Sequence, residues 1–359
     1  MTGLREKIGQ LFMVGLRGES LTRAEQRACE RYSFGGYILF ARNCRSPGQV
    51  SSLCGSLWAS AAGAPPFVAI DQEGGRVHRL PPPFTHFPAA ALLGGLNDAA
   101  LARRLGRAAA NELTLAGINL NFAPVLDVNS NPRNSVIGDR SFGSTPGRVI
   151  EIGSAWLRGH RAGGVIPCGK HFPGHGDTAT DSHFELPVVE KTLAALMAVD
   201  LPPFMHACGL GIEALMSAHV RFTALDPDRP ATLSQPVVSG LLRERLRYGG
   251  VLFSDDMEMQ AISGHYRDND AALLAVSAGI DVLLYGHEMR RAIAVFEFLC
   301  AQCERDKALR ERVESSYLRI NGLKRAWLKR CTALEEGEVV DRLRRWDHRR
   351  LIEHIYGNL

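Results

Sequence analysis

No apolar run in this sequence approaches the roughly twenty residues that a membrane-spanning helix needs. The opening stretch MTGLREKIGQLFMVGL carries charges where an export signal would place its apolar segment. The chain is therefore expected to be soluble, unexported and cytoplasmic. An excess of one charge is missing too: 42 basic and 38 acidic residues leave a formal net charge of +4. So small a surplus gives little reason to expect nucleic acid or an anionic membrane as partner. Neither a Pro/Ser-rich linker nor a low-complexity segment interrupts the 359 residues, a length that suits one large domain with a substantial core. The eight cysteines form no framework; several sit in apolar segments such as VIPCGK and HACGLG, as buried thiols do. Cys300 and Cys303 make a CxxC inside a helical pattern, FEFLCAQCERDKALRERV. With no second Cys or His pair beside it, a metal site there is disfavoured.

What is present is a repeat of short apolar or β-branched runs, each followed by a polar or glycine-rich break and then a segment of helical periodicity. There are eight: IGQLFMVGL (8–16), GGYILFARN (35–43), FVAIDQEGG (67–75), INLNFAPVLDVN (118–129), VIPCGKHFPG (165–174), IEALMSAHV (212–220), GVLFSDDM (250–257) and IDVLLYGHE (280–288). Among the amphipathic connections, NDAALARRLGRAAANELTLAG (97–117) offers Asn97 as N-cap. SQPVVSGLLRERLRY (234–248) offers Ser234, with Pro236 in the first turn. The first connection is shorter and more polar than the rest. Near-continuous apolar strands joined by helices indicate parallel strands covered on both faces, and eight of them predict a closed (β/α)₈ TIM-type barrel. An open doubly wound sheet is the competing architecture. The barrel is assigned to residues 1–300 and a helical C-terminal extension to 301–359, with Trp346, Leu351 and Ile355 of the charged tail packing on the barrel.

In such a barrel, chemistry sits where the strands end. Asp71 ends the third run, Asp127 the fourth, Lys170 and His171 the fifth, His219 the sixth and Asp255 and Asp256 the seventh, and His287 follows the eighth. Polar residues placed at random would occupy both ends of the strands, so this one-sided distribution points to an active site. Consecutive residues of an extended segment face opposite ways, so only one of the adjacent carboxylates can aim into the pocket. Asp255 is assigned the chemistry and Asp256 the N-cap of MEMQAI.

The stretch KHFPGHGDTATDSHFELP (170–187) holds three histidines and two aspartates. A zinc site would recruit His171, His175, Asp181 and His183, yet their spacings match no compact ligand motif such as HExxH. Alternatively Asp181 orients His183 and raises its pKa towards proton transfer near neutrality. A third reading has Asp181 and Ser182 merely closing a turn. In IDQEGGRVHRL (70–80) a strand-end aspartate stands near two arginines and suits vicinal hydroxyls or a carboxylate; the diglycine lacks phosphate-loop spacing. Arg140, in VIGDRSFGS, reads as a structural pin or as a ligand group.

Together these stretches resemble the family 3 glycoside hydrolases, specifically the single-domain bacterial β-N-acetylglucosaminidases. The resemblance covers about residues 5 to 300 and runs in family order through GGYILFARN, IDQEGGRVHRL, FAPVLDVN, IGDRSFG, KHFPGHGDTATDSHFELP, MSAHV, PATLS and FSDDMEMQAI. It implies that Asp255 is the catalytic nucleophile, His183 the general acid/base and Asp181 its orienting partner. Asp71, Arg79, Arg140, Lys170 and His171 would hold the N-acetylglucosamine ring, and His175 would shape its loop. The implied substrates are muropeptide fragments, N-acetylglucosamine β-1,4-linked to 1,6-anhydro-N-acetylmuramic acid, met in the cytoplasm during cell-wall recycling. The enzyme is expected to hydrolyse them with retention through a covalent glycosyl-enzyme, as a monomer without metal or other cofactor. Three other readings stand beside it: a phosphorylase using the same residues with phosphate as acceptor, a sugar-binding protein without turnover, and a metallohydrolase that exhaustive chelation would silence.

Overall fold

The computed structural model describes residues 3–61, 63–178, 185–328, 333–346 and 348–357. Asp181 and His183 lie outside them. The eight apolar runs form eight parallel strands: β1 Phe12–Gly15, β2 Gly36–Leu39, β3 Phe67–Ile70, β4 Leu120–Asn121, β5 Ile166–Phe172, β6 Ala214–Ser217, β7 Val251–Asp256 and β8 Val282–Tyr285. They close in sequence order, with β1 pairing to both β2 and β8. The doubly wound alternative is thereby excluded. β4 is the shortest because Pro124 brings no N–H to the ladder. Beyond it the chain still tracks β5, where Pro124 O accepts from Lys170 N at 3.1 Å and Lys170 O from Leu126 N at 2.6 Å. That irregular continuation carries Asp127 up to the barrel mouth.

Phe67 and Phe122 both meet Phe253 edge-on, at ring-centroid distances of 5.9 and 5.4 Å. These contacts cross between strands that are not neighbours, so the rings fill the barrel interior; each such pair contributes about 0.5–1.5 kcal/mol beyond the area it buries. The polar first connection is also helical, Arg23–Tyr32. It is opened by a capping box in which Thr22 and Glu25 satisfy each other's backbone N–H groups.

Several local expectations change. Asp98, not Asn97, caps the helix Ala99–Ala116 by accepting from Leu101 N at 2.9 Å. Asn97 closes the preceding helix, Ala90–Leu96, at φ 53°. Ser234 Oγ does accept from Val237 N at 3.2 Å, but Pro236–Arg245 winds as a π-helix. The C-terminal part comprises Met289–Arg305, Lys307–Trp327, Glu336–Trp346 and His348–Gly357. Asp306 separates the first two and caps the second through Leu309 N. Of the tail residues expected to pack, Ile355 is buried and Leu351 half-buried, whereas Trp346 is exposed; Val339 and Leu343 take the inner positions of its helix. Cys300 and Cys303 are buried in their helix without a bridge. No helix among the described residues is long and apolar enough to cross a membrane.

Candidate active site

Asp71, Arg79, Arg140, Lys170, His171 and Asp255 line one cavity of about 840 Å³ at the C-terminal mouth of the barrel. Asp256 and His287 line it too, whereas the strand-end residues Asp127 and His219 stand behind the lining. β5 delivers two of the lining residues: its last residues are Lys170, His171 and Phe172, with cis peptides at Lys170–His171 and Phe172–Pro173. Lys170 is almost completely buried, and its ammonium lies 2.6 Å from both Asp71 Oδ1 and Glu73 Oε1. Glu73 in turn holds Arg140 by two parallel bonds of 2.8 and 2.9 Å. Burial by itself would raise the Glu73 carboxyl, but the Arg140 guanidinium and the Lys170 ammonium override it and hold it well below the usual carboxylate range. Burial likewise opposes charge on Lys170, and Asp71 and Glu73 reverse the balance, keeping it protonated. Four ionised groups are therefore fixed in one fork-and-chain arrangement. Arg140 answers to both earlier readings: it is pinned by Glu73 and Val136 O, and it lines the cavity.

His171 is aimed by Asp127, which accepts from His171 Nδ1 at 2.7 Å and from the backbone amides of His171 and His175 at 3.1 and 2.7 Å. Asp127 has no solvent exposure. Burial pushes its carboxyl up, and His171 and His175 bring the net shift down. Since Nδ1–H donates to Asp127, Nε2 is the His171 nitrogen left for the cavity. His175 is buried as well. Burial, with His171 nearby, lowers its imidazole to about 4, so it is neutral near pH 7; its Nδ1 meets Thr178 Oγ1 at 2.9 Å and its carbonyl accepts from Asn134. These contacts tie the start of the 175–178 turn to the 127–134 segment.

Asp255 stands near the end of β7. Burial raises its carboxyl, but His171, His219, the Asp256 amide and Lys170 together bring it below the ordinary value. It is a bare carboxylate at the cavity floor, and Asp256 N donates to its Oδ1 at 2.8 Å. His219 carries a proton on Nε2, because that nitrogen lies 3.0 Å from Asp256 O and a carbonyl can only accept. Thr232 meets its Nδ1 at 2.8 Å.

Asp256 does not cap the following helix, Gln260–Ser263, whose N-cap is Met259. It belongs to β7, lines the same cavity, and accepts from Glu258 N and Gly286 N at 3.0 and 3.3 Å. The cap assignment failed because β7 runs through Asp256 itself and a turn separates it from the helix. Burial lifts the Asp256 carboxyl to about 7. The two adjacent carboxylates are consequently tuned in opposite directions.

One contributor, Glu73, escaped the sequence reading, and two others were seen without their roles. Glu73 lies two residues beyond Asp71, the spacing that returns an extended chain to one face, and this was its available signal. Asp127 and His219 were visible only as strand-end polars, and their partners were not. Arg79 presents an Nε without a hydrogen-bond partner among the described residues, beside the cavity. The zinc reading drew on four residues, two of them outside the described set. Among the described residues no three His, Cys, Asp or Glu side chains gather in a way that could hold an ion.

Residues 3–323 match the glycosyl hydrolase family 3 N-terminal domain. A β-hexosaminidase from Alkalilimnicola ehrlichii is 39% identical over 293 residues, covering 80% of this chain and 83% of that protein. One from Pseudomonas aeruginosa is 35% identical over 342 residues, 92% and 98% of the two chains. The solved structure of a glycoside hydrolase family 3 β-N-acetylglucosaminidase from Paenibacillus sp. is 39% identical; it superposes with a TM-score of 0.89 and covers 96% of this chain and 68% of its own. With the barrel, the charged cavity and a family match over nearly the whole chain in agreement, the chain belongs to glycosyl hydrolase family 3 and is a glycoside hydrolase.

Proposed function

We propose that this hydrolase removes terminal β-linked N-acetylglucosamine by a two-step retaining mechanism with Asp255 as nucleophile. The observation that carries the reading is Asp255 itself: an ionised carboxylate at the cavity floor, drawn below its ordinary pKa by His171, His219 and Lys170 against the effect of burial. A nucleophile must be unprotonated when the sugar arrives, and these neighbours keep it so. Asp71 offers acceptor oxygens, while Lys170, Arg140 and Arg79 offer donors, which together suit the hydroxyls of one pyranose ring. Because the four charges of the Asp71–Lys170–Glu73–Arg140 chain are already paired, a sugar meets fixed dipoles that need little reorganisation as charge develops.

In the first step Asp255 attacks the anomeric carbon as the leaving oxygen takes a proton; in the second, water displaces Asp255 and the configuration is restored. His183 is assigned that proton and Asp181 its orientation, on the family resemblance of the DSH segment. After donating, a histidine is neutral, so it adds no second negative charge beside the nucleophile. The same resemblance supports anhydro-muropeptides as substrates, hydrolysed in the cytoplasm by a monomer.

The test is turnover of an aryl N-acetylglucosaminide by the wild type and by Asp255→Ala, with and without inorganic phosphate. Loss of turnover in the variant is the expected result, with free sugar as the wild-type product in both buffers. A sugar 1-phosphate product would instead favour the phosphorylase. Full activity of Asp255→Ala would overturn the assignment.

A further inference from the structure

The turn that carries Glu73 and Arg79 is held from behind by a chain of contacts that ends in the C-terminal helix, beyond the family-matched residues. Gly75 N donates to Phe87 O at 2.9 Å, and His86 Nε2 donates to Gly75 O at 2.7 Å. The His78 and His86 rings stack at 4.3 Å with an interplanar angle of 2°. Gln72 closes the turn, since its Oε1 accepts from Arg79 N and its Nε2 lies 2.7 Å from His78 Nδ1. The substrate turn thus rests on the 84–88 segment.

That segment is fixed in turn by Glu112, a buried acid in the C-terminal half of Ala99–Ala116. Its carboxylate accepts from Thr85 N at 2.8 Å and from Thr85 Oγ1 at 2.6 Å. His348, the first residue of the last helix, lies 2.9 Å from the same carboxylate. Further along that helix, Ile355 is buried in the cluster that contains Phe87, Ala90 and Leu93. A carboxylate on a buried helical face is costly unless it is hydrogen-bonded. Here the tail supplies one donor and the 84–88 segment the other two.

We propose that the C-terminal helix is part of the apparatus that builds the substrate site, with Glu112 and His348 as positioning residues that hold the 72–80 turn through Thr85 and His86. This rests on the turn's binding substrate as proposed above. Neither residue lines the cavity, so their effect would fall on how well the turn is preset to receive a sugar. Binding would suffer and the bond-breaking step would not.

The experiment compares steady-state kinetics of the full-length wild type with His348→Ala, Glu112→Gln and Glu112→Ala on an aryl N-acetylglucosaminide. Hydrogen exchange is measured at the amides of 72–88 in the same proteins. His348 is partly buried at the start of the last helix, outside the barrel core, so its variant is expected to fold. Losing one buried hydrogen bond of positioning should raise KM about tenfold in His348→Ala while kcat changes less than about twofold. Amide exchange at Gly75 and Val77 should quicken, and Glu112→Gln should recover part of what Glu112→Ala loses. Unchanged KM and unchanged exchange in His348→Ala, whatever its melting temperature, would overturn the proposal. If the wild type does not turn the glycoside over, the functional reading fails, and the exchange measurement still decides whether the tail holds the turn.

Discussion

Glu73 joins Lys170 and Arg140; Lys170 has Asp71 as a second carboxylate partner, whereas Arg140 has Glu73 as its paired acid. Removing one partner from a buried charge network costs about 3–5 kcal/mol, because the remaining charges stay behind uncompensated. Glu73→Ala is therefore expected to lower stability by about that amount and to weaken substrate binding as well, measured by urea unfolding and by KM. The pH dependence has a definite sign. The Glu73 carboxyl is held below its ordinary value of 4.5 in the folded protein, so its stabilisation is complete above that pH and disappears as acid approaches the folded value. The gap between wild type and variant should narrow below about pH 4.5. Asp256 behaves in the opposite way, since its carboxyl is raised from 3.8 to about 7. Folding then takes up a proton between those values, and stability falls as pH rises through that window. Asp256→Asn removes the loss, so its urea midpoint should exceed that of the wild type near pH 8 and approach it near pH 4.

Among the elements, the helix Lys307–Trp327 makes an unusual contact at the opposite end of the barrel from the cavity. Lys324 is fully buried there, donating to Gln10 Oε1 at 2.6 Å with its ammonium 4.8 Å above the Phe67 ring. Burial depresses its pKa from 10.5 to about 7. Between those values the unfolded chain holds a proton that the folded protein releases, so stability falls as pH drops from 10.5 to 7 and changes no further below. Lys324→Met should raise stability near pH 7 by about 1–3 kcal/mol, with the advantage shrinking towards pH 10, read by thermal melts at both values. The strands themselves were legible in the sequence because a parallel barrel buries both faces of each strand, leaving unbroken apolar runs such as FVAI and VLLY. Helix ends were less so: Asn97 and Asp98 are both competent caps, and only the left-handed turn at Asn97 decides between them. Trp346 marked an apolar face that Val339 and Leu343 in fact occupy.

At the scale of the whole molecule, the barrel brings to one mouth residues that no local pattern connects. Lys170 and Asp71 are 99 positions apart, Arg140 and Glu73 67, and His171 and Asp127 44. The one-sided placement of strand-end polars disclosed which residues reach the mouth. Which of them pair depends on neighbouring strands and loops meeting in space, so Glu73 and Asp127 acquired roles only from the structure. The pairing of Asp181 with His183 was one of three readings of its segment, favoured by the family resemblance, and both residues fall outside the described residues. The cavity, with one carboxylate kept bare by surrounding cations and imidazoles, sits at the centre of the account. In the proposed mechanism this carboxylate bonds covalently to the sugar. The direct measurement is peptide mass spectrometry of the enzyme after incubation with a fluorinated N-acetylglucosaminyl fluoride whose second step is slow. The account predicts a single sugar attached through Asp255; an adduct on Asp256 or Asp71, or turnover of the probe with inverted configuration and no adduct, would contradict it.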